Sequence, residues 1–317
     1  MLEPRSGAWE LEPDTVTHNG ACKEGNMADF RNSNVRAAGG VQADASIDEG
    51  LRAYMLRVYN IMAMGLGITG VAAYGTYMLA STNPAFAQLL YASPLRWVVM
   101  LAPLAMVFFL SFRIEKMSVS AAQTTFWVYA ALMGLSLSSI FIVFTGASIT
   151  QTFFVTAASF GALSLYGYTT KKDLSGLGSF LIMGVFGLII AMVVNIFLQS
   201  SALEFAISAI GVLIFAGLTA YDTQNIKNVY LSHASHGDSE WLGKAAIMGS
   251  LSLFLNFINI FVSLLCIRFS QIKGKFIFVF SFLYIPRIGK SVCPIPCMLL
   301  WLLYHEISDR MWIVLFG

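Results

Sequence analysis

The residues best placed to do chemistry lie on two apolar stretches near the C-terminal third of the chain. Asp222 stands in GLTAYDTQNIK, directly after the apolar run 206–220. An acid at a helix C-terminus opposes the macrodipole, and Lys or Arg would suit such an end better. If the helix instead continues through Asn228, then Tyr221, Gln224, Asn225 and Asn228 share a polar side. Two readings of Asp222 stay open. It is a hydrated interfacial acid, or a carboxylate aimed into a helix bundle, where its charge would respond to pH.

The second stretch, IMGSLSLFLNFINIFVSLLC at 247–266, has no charge and about the ~20 residues that one bilayer crossing needs. Ser252, Asn256, Asn259 and Ser263 are spaced four, three and four apart, which puts them on one helical face. Phe254, Phe257 and Phe261 mark another face. Lipid cannot satisfy an asparagine amide, so the polar stripe must face protein or water. This is the pattern of an inner helix. Arg113 ends an apolar segment on the same side of the membrane as Asp222 and could pair with it across a bundle. An arginine snorkelling to the headgroups is the competing reading.

The remaining polar groups carry less. Asn195 could cap a helix, hydrogen-bond or line a path, and polar glue between helices is the leading reading. Glu204 opens a helix, where a negative charge suits the dipole. His233-x-x-His236 with Asp238 and Glu240 has the residue types of a metal cluster, but a glycine-containing loop offers no rigid frame for tetrahedral ligation. Cys293-Pro-Ile-Pro-Cys297 lies in an atypical tail and receives no redox role. No G-x-S-x-G, H-E-x-x-H or phosphate-binding glycine loop occurs, so an enzyme is not expected.

The elements that position these groups follow from composition. The chain is 57% hydrophobic and 11% charged, against about 25% charged in soluble domains. It is an integral membrane protein. A net charge of +2 gives no reason to expect a nucleic-acid partner. Seven apolar segments, at 58–79, 97–112, 123–144, 150–168, 179–198, 203–221 and 245–266, are each close to one crossing in length. Small residues four apart (Ala63 with Gly67, Ala157 with Gly161, Gly187 with Ala191) suggest close helix approaches. The sequence therefore predicts an all-α, seven-transmembrane-helix bundle with 247–266 inside it.

Alternate connections carry Arg113 and Lys116, then Lys171 and Lys172, then Lys227 and Lys244, with Arg52 and Arg57 before the first segment. By the positive-inside rule the N-terminus is cytoplasmic. Arg268, Lys273 and Lys275 then fall on the opposite side. Either the seventh segment crosses despite that bias, or it is re-entrant. Residues 1–57 are polar, without a helical apolar period, and read as a mostly disordered arm. Met27, opening MADFRNSNVR, reads as the true start, with residues 1–26 an upstream extension. Residues 267–317 hold apolar pieces too short to span, broken by prolines and charges, as in an out-of-frame or newly acquired tail.

Three motifs then carry a resemblance. Lys171-Lys172-Asp173-Leu174-Ser175 precedes a glycine-rich fifth segment. Ala220-Tyr221-Asp222-Thr223-Gln224 and Leu251-Ser252-Leu253-Phe254-Leu255-Asn256-Phe257-Ile258-Asn259 follow in order. In these the chain resembles the Bax inhibitor-1 family of transmembrane Bax-inhibitor-motif proteins, its bacterial branch above all, over about residues 50–266. The resemblance implies a seven-helix bundle with the last helix central. It also implies a pH-sensitive calcium leak gated by two aspartates, on the sixth and seventh helices. The first falls at Asp222; at the second this sequence has Asn256. Two close carboxylates share a proton and couple opening to pH. An Asp–Asn pair cannot do so in that way, although the amide can still hydrogen-bond the carboxylate. The family's arginine that latches the sixth-helix aspartate falls at Arg113.

The function expected is a multi-pass protein of the bacterial inner membrane that leaks cations, calcium foremost. The pathway and gate would be made by Asp222, Asn256, Arg113, Asn259 and Tyr221, with Asp222 the candidate calcium contact. Calcium would be cargo, and no cofactor is expected. The lipid bilayer is the obligatory partner. The alternative is a non-conducting regulator that binds other membrane proteins, such as a quality-control protease. A third reading gives the polar stripe a packing role alone.

Overall fold

The computed structural model describes residues 27–276 apart from 199 and 234–237, so the expectations for residues 1–26 and 277–317, including Cys293 and Cys297, lie outside the described residues. Seven helices are long and apolar enough to cross a membrane. They are α1 (Met27–Thr82), α2 (Leu95–Arg113), α3 (Val119–Leu137), α4 (Gly146–Thr169), α5 (Ser175–Leu198), α6 (Ser201–His233) and α7 (Ser239–Phe276). No strand occurs among the described residues. The protein is all-α, as its composition predicts.

Polar residues start several of these helices by accepting bonds from otherwise unpaired N–H groups. Ser118 accepts from the Ala121 amide at 3.3 Å ahead of α3, and Thr145 from the Ser148 amide at 3.4 Å ahead of α4. Asp238 does the same for the Trp241 amide at 3.0 Å at the start of α7. Asn195 closes the turn after α5, its Oδ1 accepting from the Ser200 amide at 3.1 Å. Glu204 lies in the first turn of α6, where its charge suits the helix dipole.

The chain divides into two compact units, Met1–Ser46 and Ile47–Gly317. In the first, residues 27–46 are helical rather than irregular. A helix without an apolar face leaves no periodic signal in a sequence. In the second unit, residues 48–57, read above as part of the arm, belong to the first membrane helix, Asp48–Thr82. Leu51, Tyr54, Met55, Val58, Ile61 and Met62 make its buried face, spaced three and four apart. Arg52 and Arg57 interrupt the apolar run but sit on the exposed side, which is why the segment looked shorter than it is.

The seventh helix is the axis of the bundle. In α7, 83% of the most apolar window is buried, against 22–39% in the other six helices. Its broadest contact is with α6, and α3 and α4 also pack on it, while α4 and α5 flank α6. The Ser250 hydroxyl donates to the Val58 carbonyl at 2.9 Å, tying α7 to α1. Phe254 packs edge-on against Phe126 and Tyr129 of α3, and Phe257 against Phe153 and Phe160 of α4. The helix runs unbroken for 38 residues. That favours a full crossing over a re-entrant return, which would need a break in the helix.

Close approaches occur at glycines other than the expected pairs. Gly67, Gly161 and Gly187 have open space where a Cβ would stand, so they do not mark helix contacts within the bundle. Gly167 does: a Cβ there would lie 2.3 Å from the Ala220 carbonyl oxygen, so the α4 and α6 backbones touch. The four-residue spacing was present at the exposed sites, but spacing alone does not say which face meets a neighbour.

The basic connections gather at one end of the bundle. The Lys227 ammonium donates to the Tyr168 carbonyl at 3.0 Å, and Lys244 to the Glu115 carbonyl at 3.2 Å. The C-terminal ends of α2, α4 and α6 and the start of α7 are thereby neighbours. At the other end Arg268 bonds the Gln151 side chain at 2.6 Å.

Candidate functional site

The site is the stretch Ala220–Lys227 of α6 and the face of α7 opposite it. α6 does not stop at residue 221 but continues through His233, so this stretch is held in one rigid helix. Successive side chains then point to different neighbours at 100° intervals. Ala220 meets Gly167 of α4, and the Tyr221 ring lies over Gly178 of α5. Asp222 faces α7, Thr223 faces Ser164 of α4 at 3.1 Å, and Ile226 packs on Gly249 of α7.

Asp222 is only 5% exposed. Its Oδ2 accepts from the Ser252 hydroxyl and from the Asn256 amide, the latter at 2.7 Å. Ser252 and Asn256 are four residues apart, so they project from consecutive turns of one helix face and converge on one carboxylate oxygen. A buried carboxylate is costly without such donors, and bonds to a charged acceptor are the stronger kind. Asn256 is fully buried, and its Oδ1 has no hydrogen-bond partner among the described residues. An unfilled buried acceptor beside a carboxylate is an unusual expense in a core.

The polar stripe continues below Asn256. Asn259 is buried and returns its amide to the Leu255 carbonyl of its own helix at 2.9 Å. Ser263 lies against Gly211 of α6, where a Cβ would come within 3.3 Å of its hydroxyl. Ser208, one turn further along α6, donates to the Glu204 carbonyl at 2.9 Å. Between Gly211 and Asp222, Phe215 and Leu218 are fully buried and interrupt the polar face of α6.

Of the predicted residues, the structure brings Asp222 and Asn256 into direct contact and places Asn259 one turn on. It does not bring Arg113 to them. Arg113 ends α2 exposed, and neither an ion pair nor a hydrogen bond joins it to Asp222 among the described residues. Tyr221 faces α5 rather than α7. His233 bonds Ser232 and the Val229 carbonyl and stacks on Trp241 with ring centroids 4.0 Å apart, while Asp238 caps α7; His236 lies outside the described residues. A resident calcium ion takes about 6–8 oxygen ligands. Asp222 receives hydrogen-bond donors from Ser252 and Asn256, and no group of three or more His, Cys, Asp or Glu side chains that could hold a metal ion occurs among the described residues.

Sequence reasoning missed two features. A run of hydroxyls crosses the bundle from Tyr59 of α1 through Ser164 of α4 to Thr223, which donates on to the Thr219 carbonyl at 2.8 Å. Single hydroxyls on separate helices give no sequence signal. Gln224, read only as part of a polar side, is buried, and its amide bonds the backbone of the α4–α5 connector. A glutamine two residues past a buried acid, still within helical register, was the available cue.

Comparison with known proteins accords with this architecture. Residues 51–273 match the profile of the family described as "Inhibitor of apoptosis-promoting Bax1". A Caulobacter vibrioides protein is 46% identical over 248 residues, covering 75% of this chain and 97% of the relative. The Escherichia coli K12 protein named "Inner membrane protein YbhL" is 47% identical over 217 residues, 68% of this chain and 91% of the relative. A Rickettsia prowazekii protein is 48% identical over 222 residues, 69% and 90% of the respective chains.

Proposed function

The chain belongs to the Bax inhibitor-1 family of multi-pass membrane proteins, and from that premise we propose that it is a pH-modulated leak pathway for cations, calcium foremost, in the bacterial inner membrane. The Escherichia coli relative is an inner-membrane protein by name, which supports the location. The basic residues gathered at one end of the bundle support an N-terminus on the cytoplasmic side.

One observation carries the reading: a carboxylate buried between the two innermost helices, latched to α7 by Ser252 and Asn256. An ionisable group inside a membrane domain is a functional group by default, because so costly a placement otherwise has no reward. Opening would part α6 from α7 at this latch and move Phe215 and Leu218 aside. The stripe of Asn256, Asn259, Ser263 and Ser208 would then line the path. Protonation of Asp222 alters the latch, which is the source of the pH response.

The test is calcium flux into liposomes carrying the full-length chain, across a range of pH. Asp222→Asn keeps the shape of the side chain and removes its charge, and it lowers flux several-fold. Equal flux from the wild type and this variant overturns the role given to Asp222. No flux above protein-free liposomes overturns the leak itself and favours a non-conducting regulator.

A further inference from the structure

We infer that Gln224 is a positioning residue, which clamps the α4–α5 connector to α6 and thereby sets the rotation at which α6 presents Asp222 to α7. The inference rests on the leak reading for its functional arm only. Gln224 is 8% exposed, at the point where α6 passes the connector 170–174. Its Nε2 donates to the Lys172 carbonyl at 2.7 Å, and its Oε1 accepts from the Leu174 amide at 2.8 Å. The side-chain amide thus takes the place of a backbone peptide, filling one acceptor and one donor two residues apart. Both backbone groups belong to a segment with no helix or strand of its own, and the Leu174 amide is buried, where such a group must be matched.

A second brace comes from one turn further on. Lys227 donates to the Tyr168 carbonyl, in the last turn of α4, and its ammonium lies 5.2 Å from the Tyr168 ring centroid. Gln224 and Lys227 are three apart on one helix, so together they fix α6 against rotation about its axis. Tyr221, three residues before Gln224 and on the same side of α6, rests on Gly178 near the start of α5. Asp222 lies between Tyr221 and Gln224 in sequence but points to another side of α6, toward α7. A turn of α6 that freed the connector would swing Asp222 away from Ser252 and Asn256. Conversely, anything that shifts the exposed residues Lys171, Lys172 and Asp173 reaches Asp222 through one glutamine.

Two variants of the full-length chain test the clamp. Gln224→Ala removes both bonds. Gln224→Glu keeps the acceptor for Leu174 but loses the donor to Lys172 at neutral pH, and regains a donor when protonated in acid. Hydrogen–deuterium exchange of residues 170–175, corrected for the intrinsic rate at each pH, reads the clamp directly and does not depend on transport. Exchange is faster than wild type at every pH in the alanine variant. In the glutamate variant it is faster at neutral pH and returns towards wild type in acid. Unchanged exchange in the alanine variant, or no acid recovery in the glutamate variant, overturns the clamp.

Coupling to Asp222 is read by adding Asp222→Asn. Calcium flux rises several-fold with Gln224→Ala in the wild-type background and does not change in the Asp222→Asn background. A general loosening of the bundle raises flux in both, and that result overturns the coupling. Melting temperatures of the four proteins form the same cycle without transport. Shifts that simply add overturn the coupling even if the wild type proves not to leak, so the clamp and the leak fail separately.

Discussion

The fifth and seventh helices are both strongly apolar, with mean hydropathies of 2.6 and 2.1, yet they occupy opposite positions in the fold. The more apolar one is 28% buried and the less apolar one 83%. α5 turns Phe180, Met183, Ile190 and Phe197 outward, the last 81% exposed. In α7 nearly every residue from Ile247 to Cys266 is buried. Hydropathy decides that a segment crosses a membrane; it does not decide where the segment sits. Lipid tails are as apolar as leucine, so no hydrophobic force draws a purely apolar helix inward. Polar side chains supply the difference. α7 carries Ser250, Ser252 and Asn256, which bond groups on other helices, at Val58 and Asp222, although Ser250 also bonds the Ala246 carbonyl of its own helix. In α5 Ser179 is satisfied by its own helix and Asn195 by the next turn.

The comparison breaks most readily through paired aromatic truncations. Phe254→Ala in α7 empties a fully buried site between Phe126 and Tyr129. In a bilayer the transfer part of the cost is largely absent, because lipid is as apolar as the core. The cavity part remains, about 2 kcal/mol. Phe180→Ala in α5 removes a ring that is 69% exposed, and stability stays within about 0.5 kcal/mol of wild type. Thermal unfolding in one detergent checks both. Equal shifts would mean that α7 is not the axis.

A chemical test of the same contrast changes one polar residue of α7. In Asn256→Asp two carboxylate oxygens would stand near the 2.7 Å that now separates the amide from Asp222. Like charges that close cannot both ionise, so the pair holds one proton over a range of pH and titrates as a unit. Calcium flux should then depend more steeply on pH than in the wild type, where a single acid faces an amide. A pH profile unchanged by Asn256→Asp would remove proton-linked gating from this contact. The analogous change in α5, Ser179→Asp, faces no carboxylate in the described structure and leaves the profile as it was.

Much of this was legible before any coordinates. Seven crossings, the central place of α7 and the meeting of Asp222 with Asn256 all followed from length, stripe spacing and motif. What was lost was lost for physical reasons. The start of the first membrane helix was hidden because Arg52 and Arg57 share its sequence window but not its buried face. The close contact at Gly167 could not be told from the open Gly161, since both stand in similar apolar runs. Arg113 was placed near Asp222 because both end helices on the same side, but a shared end does not fix depth or direction. Gln224 was hidden because its partners are backbone atoms of a connector some 50 residues away, and backbone partners carry no residue code.

The smallest effect is expected where α5 begins. Asp173 and Asp238 precede α5 and α7 in parallel roles, each accepting from an amide of the helix that follows. Asp173 also accepts from the Ser175 hydroxyl at 2.6 Å. That hydroxyl, followed by the Ser175 amide, holds the Asp173 carboxyl below its ordinary range, against a weak opposing effect of burial. A carboxyl lowered on folding adds stability above its unfolded value of about 3.9, and that stability is lost as pH falls through the lower folded value. The contribution is therefore complete and constant around neutral pH. Asp173→Asn retains an acceptor for Ser175 and is fully exposed to water, so melting at neutral pH shifts barely at all and the pH profile of flux keeps its midpoint. A moved midpoint would place the titrating group on the connector that Gln224 holds, at the start of α5, and take it away from the buried carboxylate facing α7.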